Sequence, residues 1–127
     1  MRWTCNNIDG NVSDFFPLKN QLRFLNVNNS GHINANFSDF AYFPLITDWN
    51  DNYNCYNIQG TVESFVAVKR GLGVTTGQCV FGWVGSNGNV TFNGVKPSNP
   101  GGNELLEWTP TTITFKGETI QNSDVIN

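Results

Sequence analysis

The sequence predicts an all-β domain, a closed barrel or sandwich of short strands joined by long polar loops. Three observations predict it. Apolar residues recur at alternate positions in most apolar segments, the period of a strand with one buried face. Asparagine is 20 of the 127 residues, and with 13 glycines it disfavours helix interiors, because Asn competes for backbone bonds and Gly loses much backbone entropy. Apolar residues occur on both faces of several runs, which favours a closed structure over an open sheet.

Taken in order, the first clear run is Leu22–Val27, with Leu22 and Phe24 opposite Leu25 and Val27. Ile33, Ala35 and Phe37 then alternate with Asn34 and Asn36. Residues 61–69 read as a third strand, with Val62, Val66 and Val68 on one side and Glu63, Phe65 and Ala67 on the other. Cys79, Phe81 and Trp83 oppose Val80 and Val84, Val90 and Phe92 oppose Thr91, and Ile113 and Phe115 oppose Thr112 and Thr114. Between residues 78–84 and 89–95 stands Gly85-Ser86-Asn87-Gly88-Asn89, whose Asn-Gly pair supplies the positive-φ positions of a tight hairpin turn. Phe16-Pro17, Phe43-Pro44 and residues 97–102 interrupt the pattern, and no helix is expected to last beyond about a turn. The long connections fall at 48–57, 70–77 and 93–103, and loops of this kind carry most binding residues. One domain spanning 1–127 accounts for the length.

Charge narrows the function. Charged residues are 13% of the chain, 7 basic against 10 acidic, so no basic surface is expected that could neutralise several phosphates, and nucleic acid is not an expected partner. Apolar runs are too short to span a bilayer, and the opening residues lack an apolar stretch of signal-peptide length. A neutral surface rich in Asn, Thr, Ser and Gln suits ligands that are themselves neutral and hydroxyl-bearing.

Catalytic and metal chemistry find little support. His32 is the single histidine, at a turn-to-strand junction, and no nucleophile motif accompanies it. Cys5, Cys55 and Cys79 form no C-x-x-C pair, lack the ligands zinc requires, and read as small apolar thiols kept reduced. Residues 48–54 begin like a calcium loop, but Tyr53 stands where the sharp turn needs glycine and Gln59 where a bidentate Glu belongs. Gly71, Gly73 and Gly77 lack the Lys-Ser/Thr of a phosphate loop. Four N-glycosylation sequons (Asn11, Asn28, Asn36, Asn89) are close to the number such a composition gives by chance. No enzyme, cofactor or metal is expected. Candidate ligand contacts are the hydroxyls and free amides of the glycine-rich loop at 70–77 and the stacking faces of Trp49, Tyr53 and Tyr56, with their bland counterparts an ordinary connection and aromatic loop anchors.

The order of several short segments resembles the outermost protruding subdomain of the calicivirus major capsid protein, noroviruses most closely. These are Trp3-Thr4-Cys5 followed by Asp9-Gly10-Asn11-Val12, then Tyr56-Asn57-Ile58-Gln59-Gly60, Arg70-Gly71-x-Gly73-x-Thr75-x-Gly77, Gly88-x-Val90-x-Phe92, Thr109-Pro110 and Gly117. The resemblance implies a compact antiparallel β-barrel of about six strands, similar to the second domain of elongation factor Tu. It also implies a non-enzymatic module on the virion surface, assembled in the host cytoplasm, paired as a homodimer in the full capsid protein, antigenically exposed, and attaching to a host-cell glycan or protein receptor. In that family a Ser-Thr-Arg run binds fucose where this chain has Val74-Thr75-Thr76, and an Asp falls near Asn99. Thr76 and Asn99 lack those charges, so a charge-assisted sugar contact is not expected at either position. The competing expectation is a dimerising interaction barrel that binds no small ligand, with Trp49, Tyr53 and Trp108 exposed in its interface; a non-viral carbohydrate-binding module is a further alternative.

Overall fold

The computed structural model describes residues 2–4, 9–26, 32–50, 57–82, 89–95, 103–115 and 118–121. Among the described residues, strand residues outnumber helical ones by about two to one. The strands are β1 (Arg2–Thr4), β2 (Asp9–Asn11), β3 (Phe24–Asn26), β4 (His32–Asn36), β5 (Asp48–Asn50), β6 (Asn57–Thr61), β7 (Gly77–Gly82), β8 (Asn89–Thr91), β9 (Asn103–Trp108), β10 (Thr112–Phe115) and β11 (Glu118–Gln121). They form a seven-stranded sheet in the order β1-β3-β5-β7-β9-β10-β11 and a four-stranded sheet in the order β2-β4-β6-β8.

Odd- and even-numbered strands therefore alternate between two sheets as far as β8. Within each sheet the neighbours run parallel: Arg2 pairs with Phe24, Phe24 with Asp48 and Asp48 with Val80, while Asp9 pairs with His32, Asn34 with Asn57 and Gln59 with Asn89. The chain winds as a coil that contributes one strand to each sheet per circuit, a solenoid-like path. Only the end is antiparallel, where β9 adds to β7 and β10 and β11 follow as a meander. The sheet-rich expectation holds, but among the described residues the pairing expected as antiparallel is parallel in six of nine ladders. The number of strands exceeds the six expected.

The connections leaving the second sheet share one local design, repeated at a spacing of 25 residues (11 to 36 to 61). Asn11-Val12-Ser13-Asp14-Phe15, Asn36-Phe37-Ser38-Asp39-Phe40 and Thr61-Val62-Glu63-Ser64-Phe65 each open a helix. The first two are 3-10 helices, Val12–Leu18 and Phe37–Tyr42, and the third is α1, Val62–Gly71. The Asp14 carboxylate accepts from the Asn11 amide at 2.9 Å, and Asp39 does the same for Asn36 at 3.0 Å. At α1 the Thr61 hydroxyl accepts from the Ser64 amide at 3.0 Å. In each case a short polar side chain satisfies an amide that a helix start leaves without an intrahelical partner. The aromatic at the end of each motif, Phe15, Phe40 and Phe65, then enters the core.

Two expectations fail here for identifiable reasons. Residues 61–69 form α1, not a strand. Val62, Phe65, Val66 and Lys69 are its buried positions, the i, i+3, i+4, i+7 stripe of a helix. The valines invite a strand reading because β-branched residues favour strands, but capping and the core-facing stripe decide otherwise. The described residues of 78–84 and 89–95 do not pair as a hairpin: β7 joins one sheet and β8 the other. Residues 83–88, including Asn87-Gly88, lie outside the described residues. A two-residue Asn-Gly turn does occur, at Asn93-Gly94, with φ of 53° and 77°. There the Phe92 and Val95 amides and carbonyls exchange bonds at 2.9 and 3.0 Å.

Aromatic residues knit the core. Phe37 and Phe65 lie 5.1 Å apart between ring centroids, Phe65 meets the Trp108 ring edge-on at 6.1 Å, and Phe92 meets Phe115 at 5.7 Å. Cys79 is buried, its thiol directed at the Ile46 carbonyl at 3.3 Å, in keeping with a small apolar thiol. Lys69 is buried as well, donating to the Phe43 carbonyl at 2.6 Å.

Candidate functional site

Among the described residues, a cleft opens where β7, β9 and β10 meet. It has a volume of about 380 Å³ and is lined by Thr76, Gly77, Gln78, Glu107, Trp108, Thr109, Thr112 and Thr114. Strand register explains the lining. Gln78 pairs with Glu107, and Glu107 with Thr114, so these three form one row across the sheet. Alternation turns Leu106 and Trp108 inward while Leu105 and Glu107 stay exposed.

Trp108 supplies the apolar floor. It is almost fully buried, which corrects the expectation of an exposed interface aromatic. Its indole N–H donates to the Val74 carbonyl at 2.9 Å. Gly77, paired with Trp108 across the ladder, makes room for the ring, since a Cβ there would sit 2.7 Å from Cζ2. The loop after α1 is thereby fixed to β9 by one hydrogen bond and one close packing contact.

Threonine hydroxyls form the rim. Thr109 and Thr112 approach within 2.7 Å through their Oγ1 atoms, and Thr109 Oγ1 also accepts from the Thr111 and Thr112 amides at 3.2 and 3.1 Å. Thr114 Oγ1 lies 2.8 Å from Thr119 Oγ1 on β11. From the helix side, Arg70 donates through Nη2 to the Thr109 and Thr112 carbonyls at 2.5 and 3.0 Å, tying the C-terminal end of α1 to the β9–β10 turn. The rim is thus positioned before any ligand arrives, which lowers the ordering cost of binding.

Glu107 is the only carboxylate in this lining. No group of three His, Cys, Asp or Glu side chains gathers among the described residues. What the surface offers is hydrogen bonding to neutral polar groups over an apolar floor.

Of the candidates from the sequence, Thr76 lines this cleft and Thr75 is exposed beside it. Val74 contributes its carbonyl to Trp108 and packs its half-buried side chain against the core. Trp49 lies on β5, paired with Leu25 and Phe81, and so belongs to a strand and not to the loop expected at 48–57. Tyr53, Tyr56 and Asn99, with Cys5 and Cys55, lie outside the described residues. Sequence reasoning missed Gln78, Glu107, Thr109, Thr112 and Thr114. The signal was present as polar positions at alternate places on both sides of Pro110, the pattern of two strands folded back with one wet face.

A smaller cleft lies on the four-stranded sheet, with a volume of about 240 Å³, lined by Asn11, Ser13, Asn34, Ala35, Asn36, Asp39 and Gln59. No described helix is long and apolar enough to cross a membrane. No protein-family model, curated protein or solved structure matches the chain.

Proposed function

We propose that this chain is a non-enzymatic recognition module whose cleft between β7, β9 and β10 binds a neutral, hydroxyl-bearing ligand, a glycan by chemical class. The observation that carries the reading is the rim itself: Thr76, Gln78, Glu107, Thr109, Thr112 and Thr114 surround the floor made by Trp108, with one formal charge among them. Sugars present hydroxyls that both donate and accept, together with C–H faces that prefer apolar contact. Threonine and glutamine match the former, and the indole edge matches the latter.

Saturation-transfer NMR against fucosylated, sialylated and plain oligosaccharides tests it. Transfer to ring protons of at least one class is expected, weakened ~2- to 10-fold by Glu107→Gln or Thr112→Val, the scale of one hydrogen bond. Absence of transfer across all classes, or transfer indifferent to both variants, contradicts the reading.

The resemblance to the calicivirus protruding subdomain adds a second, narrower reading: attachment to a host receptor from a virion surface, as one half of a capsid-protein dimer. It draws on segment order alone. The parallel ladders are not those of the antiparallel barrel the resemblance implies, and the cleft reading does not depend on it.

A further inference from the structure

Most of the threonine rim between β7, β9 and β10 is satisfied within the chain. Thr109 and Thr112 face each other through their hydroxyls at 2.7 Å, and Thr114 meets Thr119 at 2.8 Å. The polar side chains left for a ligand stand beside them. Thr76, Gln78 and Glu107 are exposed, line the cleft, and have no side-chain hydrogen bond among the described residues. Gln78 and Glu107 are direct partners across the β7–β9 ladder, so their Cβ atoms stand about 4.5–5.5 Å apart on one face. Both lie inside six-residue strands, which fix the couple at its base.

The two side chains differ in what they require of a ligand. A carboxylate accepts and does not donate, whereas a primary amide offers two donors and an acceptor. A ligand group with a donor and an acceptor close together meets both. A secondary amide is such a group: its N–H donates to Glu107 and its carbonyl accepts from the Gln78 amide. An ammonium has donors alone, so it answers Glu107 and leaves the Gln78 donors to water. A single hydroxyl can bridge the couple, but it brings nothing for the apolar floor.

That floor decides between amide and hydroxyl. Trp108 keeps only 2% of its surface exposed, too little for the face of a sugar ring to stack on. What borders the cleft is an edge, beside Gly77, where a Cβ would sit 2.7 and 3.1 Å from Cζ2 and Cη2 of the indole. A contact of that size suits a methyl group. An acetamido sugar carries the N–H, the carbonyl and the methyl together, on a ring whose hydroxyls suit Thr76 and the rim.

We propose that the Gln78–Glu107 couple makes this cleft selective for neutral acetamido sugars, N-acetylhexosamines by chemical class, with the acetyl methyl against the Trp108 edge. The inference rests on the glycan reading of the cleft and narrows it.

The test is saturation-transfer NMR and calorimetry on the intact chain with N-acetylated chitotriose, its deacetylated amine, cellotriose and the peptide trialanine. Strong transfer to the acetyl methyl is expected, with affinity for the acetylated sugar ~10-fold or more above that for cellotriose, since two hydrogen bonds go with the acetamido group. Gln78→Ala and Glu107→Ala should each narrow that preference ~2- to 10-fold. Both positions are exposed, and an unchanged unfolding midpoint verifies that the fold persists. Gln78→Glu, which removes the amide donors and adds a second carboxylate, should shift the preference toward the amine. Equal affinity for the acetylated sugar and cellotriose, a silent acetyl methyl, or a wild-type preference for the amine or for trialanine would overturn the selectivity. With any sugar still bound, the glycan reading would stand. No binding of these sugars overturns the proposal, and silence of fucosylated and sialylated sugars as well overturns the glycan reading with it.

Discussion

Lys69 shows how a single residue can be set by its surroundings against its own chemistry. Its ammonium lies in the core on one carbonyl, and near the Phe65 ring at 5.9 Å. Burial holds its pKa below the ordinary 10.5, an effect partly offset by Cys79 nearby. The folded chain therefore gives up this proton at a lower pH than the unfolded chain. Between those two values the unfolded state binds more protons, so stability rises with pH toward 10.5. Urea unfolding of wild type and Lys69→Met across the alkaline range should show that rise in the wild type relative to the variant. Parallel curves would contradict it. Gly77 is the second such residue. Gly77→Ala should cost roughly 1–3 kcal/mol by forcing the Trp108 ring from its place, seen as a lower unfolding midpoint. An unchanged midpoint would mean the ring moves freely.

At the scale of elements, helix starts and one turn hold the coil in shape. Thr61→Ala should destabilise by about 1 kcal/mol through loss of the cap on α1, while Thr61→Ser, which keeps the acceptor, should cost much less; equal losses would point to the methyl group instead. At the tight turn, Asn93→Gly should be tolerated, because φ is already positive there, whereas Asn93→Val should cost on the order of 1–3 kcal/mol. These elements also mark how far the sequence could be read. Strands β3, β4, β7, β8 and β10 follow from alternation, since each has a buried row that the pattern displays. Helix α1 was hidden because Val62, Val66 and Val68 satisfy a two-residue period nearly as well as a helical one, and because the last member of its stripe is a lysine. Strands β1, β2 and β5 have three residues each and stand in no longer alternating apolar run, whereas β3 and β8, equally short, lie inside such runs. The 25-residue recurrence of cap, apolar residue and phenylalanine was legible, but it emerges only when whole circuits are compared instead of neighbouring residues.

For the molecule as a whole, strand direction is what local pattern could not supply. A residue's alternation reports which face is buried, not whether its neighbour runs with it or against it. Direction came from the order of the strands: each of the first strands is followed by one in the other sheet, so the next strand in the same sheet arrives parallel. The Pro110 turn reverses the chain within one sheet and gives the antiparallel end. This arrangement brings Thr76 beside Thr109 and Thr112 although they are far apart in sequence, and sets the asparagines of successive circuits side by side. Glu107 apart, the side chains of the threonine-rimmed cleft are neutral groups on or beside strands.

The proposed recognition role is open to one direct measurement, an amide-resolved NMR titration of the intact chain with soluble oligosaccharides, read on both protein and sugar. The account predicts shifts confined to Thr76–Gln78 and Glu107–Thr114, while the sugar's own spectrum persists unchanged over days. A sugar that is cleaved, or shifts that avoid this cleft, would contradict it.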